Sequence, residues 1–119
     1  MKQVLVIDDS PVIRKITRRI LEGMRLTTAE AADGRQALAA CSFRMPDAIF
    51  VDASMPVLDG YEFVKQVRAM PGGDKPRIVL CTCEHDVPLM AKAINAGADD
   101  FITKPFEREQ VQAKFAGLV

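Results

Sequence analysis

The sequence lacks an excess of either charge: sixteen lysines and arginines face sixteen aspartates and glutamates. A balanced chain has no global field to draw it onto nucleic acid or anionic lipid, so no nucleic-acid partner is expected and any charge-driven function is local. It also lacks a long apolar run. Nothing approaches the ~20 residues that a spanning helix needs, which speaks against membrane insertion. The opening "MKQVLVIDD" reaches a carboxylate pair too soon to be a signal peptide, and a cytoplasmic location is the expectation. Cysteines are few and odd in number, three in all. That pattern, in a chain with ample apolar content, excludes a disulfide framework and fits reduced thiols. Internal repeats, low-complexity segments and linkers are missing as well; "MPGGDKP" at 70–76 reads as a helix-to-strand loop. With 119 residues, a single domain over 1–119 is expected, large enough to bury a real core.

What is present is an alternation. "QVLVI" (3–7), "DAIFV" (47–51) and "RIVLC" (77–81) are nearly continuous apolar runs, as expected of parallel strands covered on both faces. "LTTAEAA" (26–32) and "DDFIT" (99–103) are weaker strand candidates. Between the first two runs, Ile13, Ile16, Ile20 and Met24 follow helical spacing behind Ser10 and Pro11, an N-cap followed by proline at the first helical position. Further helices are predicted at 35–43, 61–70, 87–95 and 107–116, with Gly97 placed as a C-terminal cap. Strands alternating with helices imply right-handed crossovers and one parallel sheet in a three-layer α/β/α sandwich.

In such a sheet, ligands gather beyond the carboxyl ends of the strands, beside the point where strand order reverses. Asp8 and Asp9 follow the first run, and Asp52 follows "DAIFV". If those strands are neighbours, three acids share one pocket. Two such charges about 4 Å apart repel by about 4 kcal/mol at an effective dielectric near 20, and a bound cation is the simplest remedy. Few, hard oxygen ligands favour Mg²⁺ over Zn²⁺. Thr82, after "RIVLC", adds a hydroxyl, and Lys104, after the fifth strand, adds a mobile positive charge. A metal, a carboxylate nucleophile, a hydroxyl and an ammonium together suit phosphoryl transfer. Asp52 is then the nucleophile, on a turn shaped by Met55, Pro56 and Gly60. Any one of these residues alone reads as a helix cap or turn residue; five gathered at four strand ends do not.

The segments "VLVIDDS", "DAIFVDASMPVLDGYEF", "PRIVLCT" and "AGADDFITKPF" together resemble the receiver domain of two-component response regulators, over essentially the whole chain. The resemblance implies a flavodoxin-like (βα)₅ fold with strand order 2-1-3-4-5. It also implies a stand-alone CheY-like member, since no output domain follows. Asp52 would accept a phosphoryl group from a phosphohistidine on a sensor histidine kinase or a histidine phosphotransferase. Asp9 and Asp52 would bind Mg²⁺ directly, Asp8 partly through water, and the main-chain carbonyl of Ser54 would be a further ligand. Thr82 would hydrogen-bond the phosphoryl group, Lys104 would pair with it, and the Lys104–Pro105 peptide would be cis. Phe101 stands where many members carry tyrosine, so the switch lacks a hydroxyl. The phosphorylated form would signal to a downstream protein through the face of helix 4, strand 5 and helix 5, as a monomer and a phosphoacceptor rather than an enzyme.

Other features stand outside this pocket. Arg14, Lys15, Arg18 and Arg19 on the first helix are either a solvated face with local ion pairs or a docking face for a phosphotransferase helix. Cys81, Cys83 and His85 in "CTCEHD" alternate, which suits packing, a thiol switch or a zinc site with only three visible ligands. Cys41 reads as a small hydrophobe. Glu84 either orients attacking water or is simply exposed. Three rival functions remain. A dehalogenase-type phosphatase would want a second aspartate where Ser54 stands. An electron carrier of the flavodoxin type would want backbone donors and hydroxyls where "DDSPVIRK" carries acids. A binding module independent of phosphorylation would leave the acceptor set unexplained.

Overall fold

A computed structural model describes residues 1–83 and 87–119. The chain runs β1 (Gln3–Ile7), α1 (Pro11–Glu22), β2 (Thr27–Ala31), α2 (Gly34–Phe43), β3 (Ala48–Asp52) and α3 (Gly60–Ala69). It continues through β4 (Arg77–Thr82), α4 (Val87–Ala96), β5 (Asp100–Thr103) and α5 (Arg108–Phe115), and closes on a 3₁₀ turn at Ala116–Leu118. All strand pairs are parallel, in the order β2-β1-β3-β4-β5 expected above. β1 lies between β2 and β3, so the direction of winding reverses beside it.

The apolar runs fill two cores because successive side chains of a strand point to opposite faces. Leu5, Ile7, Ile49, Val51, Ile78 and Leu80 pack against α2, α3 and α4. Val4, Val6, Phe50, Val79, Cys81 and Ile102 pack against α1 and α5, where Phe50 meets the rings of Phe106 and Phe115 at 5.6 and 5.8 Å.

Helix starts follow the expected chemistry. Ser10 accepts the N–H of Ile13, Asp33 that of Gln36 and Asp59 that of Glu62, each satisfying a donor the helix leaves unpaired. Gly97 closes α4 at φ +115, a conformation that suits glycine. Arg68 ties the loop before β4 to the loop before β5, donating to the carbonyls of Gly73, Pro76 and Gly97 and to Asp99.

Some expected boundaries shift. Asp47 precedes β3 and its carboxylate accepts the N–H of Gln3, whereas Asp52 is itself the last residue of the strand. Met70 and Glu107 are caps rather than helix members. On α1 the buried residues are Thr17, Ile20 and Leu21, while Ile16 is 46% exposed. The expected stripe through Ile16 is therefore displaced by one position. Helix rotation of 3.6 residues per turn carries Thr17 under the helix and leaves Ile16 on its flank, near Phe106.

Candidate functional site

The parallel register brings the chemistry to one end of the sheet. β1 stops at Ile7, β3 at Asp52, β4 at Thr82 and β5 at Thr103, and Asp8, Asp9 and Lys104 stand immediately beyond their strands. Asp8 and Asp52 are 2% and 4% exposed, and Asp9 is exposed at the mouth. A carboxylate oxygen from each lies within 4.8 Å of the others.

Lys104 bridges the two buried acids. Its Nζ donates to Asp8 Oδ2 at 2.9 Å and stands 3.4 Å from Asp52 Oδ2. Burial works against the ammonium charge, but the hydrogen bond to Asp8 and the fields of Asp52 and Asp8 outweigh it and hold Lys104 protonated well above the ordinary lysine range. For Asp52 the balance is reversed. Burial, followed by the charge of Asp8, pushes its carboxyl above the usual aspartate range, although Lys104 and the Ser54 N–H oppose the shift. An acid so placed gains from any further positive charge brought to it.

The backbone after β3 makes the pocket possible. The N–H of Ser54 donates to Asp52 Oδ1 at 3.3 Å, and the N–H of Gly60 donates to the carbonyl of Ala53 at 2.9 Å. A Cβ on Gly60 would come within 2.3 Å of the Asp52 carbonyl, so only glycine lets α3 start this close to the acid. Val57, in the same turn, adopts φ 74, unusual for a β-branched residue.

The sequence-predicted set is thus brought together. Asp8, Asp9, Asp52 and Lys104 share one pocket, Thr82 is buried at the adjoining end of β4, and the Lys104–Pro105 peptide is cis. Ser54 enters through its N–H on Asp52. The three carboxylates form an all-oxygen donor set that fits a hard divalent ion such as Mg²⁺. Phe101 is half-buried on β5, its ring centroid 6.0 Å from Lys114 Nζ on α5. Beside the pocket, Ile13, Ile16, Cys83, Lys104, Pro105 and Phe106 line a cavity of about 500 Å³.

The cysteines separate. Cys41 and Cys81 are buried, and burial pushes their thiols up to about 11 and about 12. Cys83 is exposed; Glu84 and His85 lie outside the described residues. On α1, Arg14 and Arg18 both pair with Glu30, and Arg18 also with Glu22, which is the local-pair reading for half of the basic set. Arg14 does more than the sequence suggested: it also donates to the Asp8 carbonyl at 2.6 Å. Its place one turn into the helix after the acid pair was the available signal, blurred by three neighbouring cations.

The family model for the response regulator receiver domain matches residues 4–116. The chain belongs to that family. Similar proteins include the response regulator MprA of Mycolicibacterium vanbaalenii, 38% identical over 98% of this chain and 50% of that protein. The chemotaxis protein CheY of Halobacterium salinarum is 37% identical over 92% of this chain and 90% of its own length. Among solved structures, the chemotaxis response regulator CheY4 of Vibrio cholerae superposes with a TM-score of 0.94 at 33% identity, covering 100% of this chain and 99% of that one. The receiver spans about half the length of the MprA relatives and nearly all of the CheY relative. It is a CheY-like receiver of two-component signalling. No helix among the described residues is long and apolar enough to cross a membrane.

Proposed function

We propose that this receiver is a Mg²⁺-dependent phosphoacceptor switch whose acceptor is Asp52. The observation that carries the proposal is the clustering of three carboxylates within 4.8 Å around a lysine that bridges two of them. The donor is a phosphohistidine on a sensor histidine kinase or histidine phosphotransferase. An Asp52 carboxylate oxygen bonds to phosphorus as the P–N bond breaks, and the bonding pair stays with the imidazole nitrogen. The ammonium of Lys104 and the hydroxyl of Thr82 stabilise the charge on the phosphoryl oxygens. Asp8, Asp9, Asp52 and the main-chain carbonyl of Ser54 would hold Mg²⁺, which neutralises charge on the transferring group when bound.

The product of this chemistry is a changed surface rather than a released compound, so the protein acts as a switch and not as an enzyme. Phe101, Thr82 and Lys104 couple the pocket to the face of α4, β5 and α5. That face is suited to a protein partner, since Val87 and Ile94 of α4 are large apolar residues 75% and 49% exposed. The proposed setting is cytoplasmic and the proposed resting form monomeric.

The test is intact-mass analysis after incubation with acetyl phosphate and Mg²⁺, with and without EDTA. One added phosphoryl group is expected on the wild type with metal, and none on Asp52→Asn or in EDTA. An equal yield on Asp52→Asn would remove the assignment. Should the wild type show no adduct, a beryllofluoride titration separates rapid hydrolysis from an inactive pocket.

A further inference from the structure

Among the four cations of α1, Arg14 is set apart by what it holds. Its side chain is 13% exposed, against 37% for Arg18. Nε donates to Glu30 Oε1 at 2.6 Å, and Nη1 donates to the main-chain carbonyl of Asp8 at 2.6 Å. That carbonyl belongs to the planar peptide unit joining Asp8 to Asp9, so the guanidinium fixes the plane from which Asp9 departs.

The other groups of Asp8 are committed too. Its N–H donates to the carbonyl of Ala31, the residue after Glu30 on β2. Its Oδ1 accepts the N–H of Ser10 and its Oδ2 the ammonium of Lys104, both at 2.9 Å. Asp9 differs: it is exposed, and none of the hydrogen bonds among the described residues ends on its carboxylate. What turns Asp9 toward Asp8 and Asp52 is therefore the backbone, which Arg14 holds on one side of Asp9 at the Asp8 carbonyl and the Asp8 carboxylate holds on the other at the Ser10 N–H.

Arginine suits the task because its rigid fork serves two acceptors at a fixed angle, whereas a lysine is a point charge on a flexible stem. Glu30 has a second effect. The hydrogen bond from Arg14, joined by that from Arg18, holds its carboxyl below the ordinary range against a small desolvation effect, so a negative charge offsets the guanidinium beside a pocket built for cations.

We propose that Arg14 is a positioning residue for divalent-cation binding, orienting the Asp8–Asp9 peptide so that the Asp9 carboxylate faces Asp8 and Asp52. The proposal rests on the pocket being a Mg²⁺ site. It makes a prediction whose sign is distinctive. If Arg14 acted only as a nearby positive charge, its removal would tighten Mg²⁺ binding. If it only paired with Glu30, removal would lower the melting temperature and leave Mg²⁺ affinity unchanged. Positioning alone makes removal weaken Mg²⁺ binding.

The experiment is calorimetric titration of the full chain with MgCl₂, for wild type, Arg14→Ala, Arg14→Lys and Glu30→Gln, with thermal melts of each in EDTA. For Arg14→Ala the Kd for Mg²⁺ is expected to rise on the order of tenfold, as for other residues that orient metal ligands. Arg14→Lys recovers part of the loss, because one ammonium cannot hold both acceptors. Glu30→Gln, whose amide oxygen can still accept from Nε, weakens binding less than Arg14→Ala. A Kd for Arg14→Ala equal to or below the wild-type value, in a variant that melts cooperatively, overturns the proposal. Should Arg14→Ala not melt cooperatively, Arg14→Lys decides by the same measure. A wild type that binds no Mg²⁺ removes the metal site itself, whereas a wild type and an Arg14→Ala that bind equally remove only the role of Arg14.

Discussion

Lys104 and Asp8, 96 positions apart in the chain, are joined by a 2.9 Å charge-assisted hydrogen bond, and the same ammonium stands 3.4 Å from Asp52. The lysine is the counter-ion that lets two buried acids sit at adjacent strand ends. Replacing it with an apolar side chain leaves both without compensation. Lys104→Met is expected to lose roughly 2 kcal/mol at neutral pH in EDTA. Its raised pKa means that this stabilisation is complete below the ordinary lysine value of 10.5 and fades only as pH rises through the folded value. Asp52 sets the lower limit, since the loss shrinks once its carboxyl is protonated. Urea unfolding of wild type and variant at pH 7 and pH 3 measures both effects.

Asp52 has the opposite linkage. Its folded pKa lies above the ordinary 3.8, so the unfolded chain ionises first, and the penalty on the folded state builds as pH rises from 3.8 to the folded value and is complete above it. In EDTA, Asp52→Asn is expected to be more stable than wild type at pH 7, by about 1 kcal/mol, with the gain vanishing below the ordinary aspartate range. Thermal melts across pH 3 to 7 check the sign. A variant less stable than wild type at pH 7 would mean that Lys104 outweighs the burial of the acid.

Gly60 sets how closely α3 approaches the acceptor. A methyl group there would meet the Asp52 carbonyl at 2.3 Å and the Ala53 Cα at 2.8 Å, both backbone atoms that cannot swing aside. Gly60→Ala is expected to cost roughly 2–3 kcal/mol through a displaced helix start, and to lower the yield of phosphorylated protein by moving Asp52. Chemical denaturation paired with the intact-mass assay reports the two effects separately.

Thr17 is fully buried on α1, and among the described residues its hydroxyl has no hydrogen-bond partner. A buried hydroxyl without a partner carries a desolvation cost that a methyl of the same shape does not. Thr17→Val should therefore match or exceed wild-type stability, by up to about 1 kcal/mol, and a loss above that size in a denaturant melt would reveal a partner for the hydroxyl.

The fold was largely legible because the three central strands, β1, β3 and β4, are buried on both faces and read as nearly continuous apolar runs, and because α1 opens on Ser10 and Pro11, a recognisable start. Asp8, Asp9, Asp52, Thr82 and Lys104 were legible because a parallel sheet sends the carboxyl ends of all its strands, and the residues just beyond them, to the same side. Periodicity resolved α1 less well: Thr17 looks polar in the sequence and is buried, while Ile16 looks like core and is exposed. The contact of Arg14 with Asp8 was only faintly signalled, for another reason. Its partner is a main-chain carbonyl, and backbone acceptors leave no mark in the identity of a residue.

Under the proposed function, the pairing of Asp52 with Cys81 across β3 and β4 bears on how long a phosphoryl group on Asp52 would survive. An acyl phosphate is an activated carboxyl group, and a thiolate beside it would capture the acyl carbon as a thioester and expel the phosphate. Burial pushes the Cys81 thiol up to about 12, so at cellular pH the sulfur stays protonated and poorly nucleophilic. The apolar strand that carries Cys81 into the core would thus also protect a phosphoryl group on Asp52, as proposed above, from attack by its own neighbour.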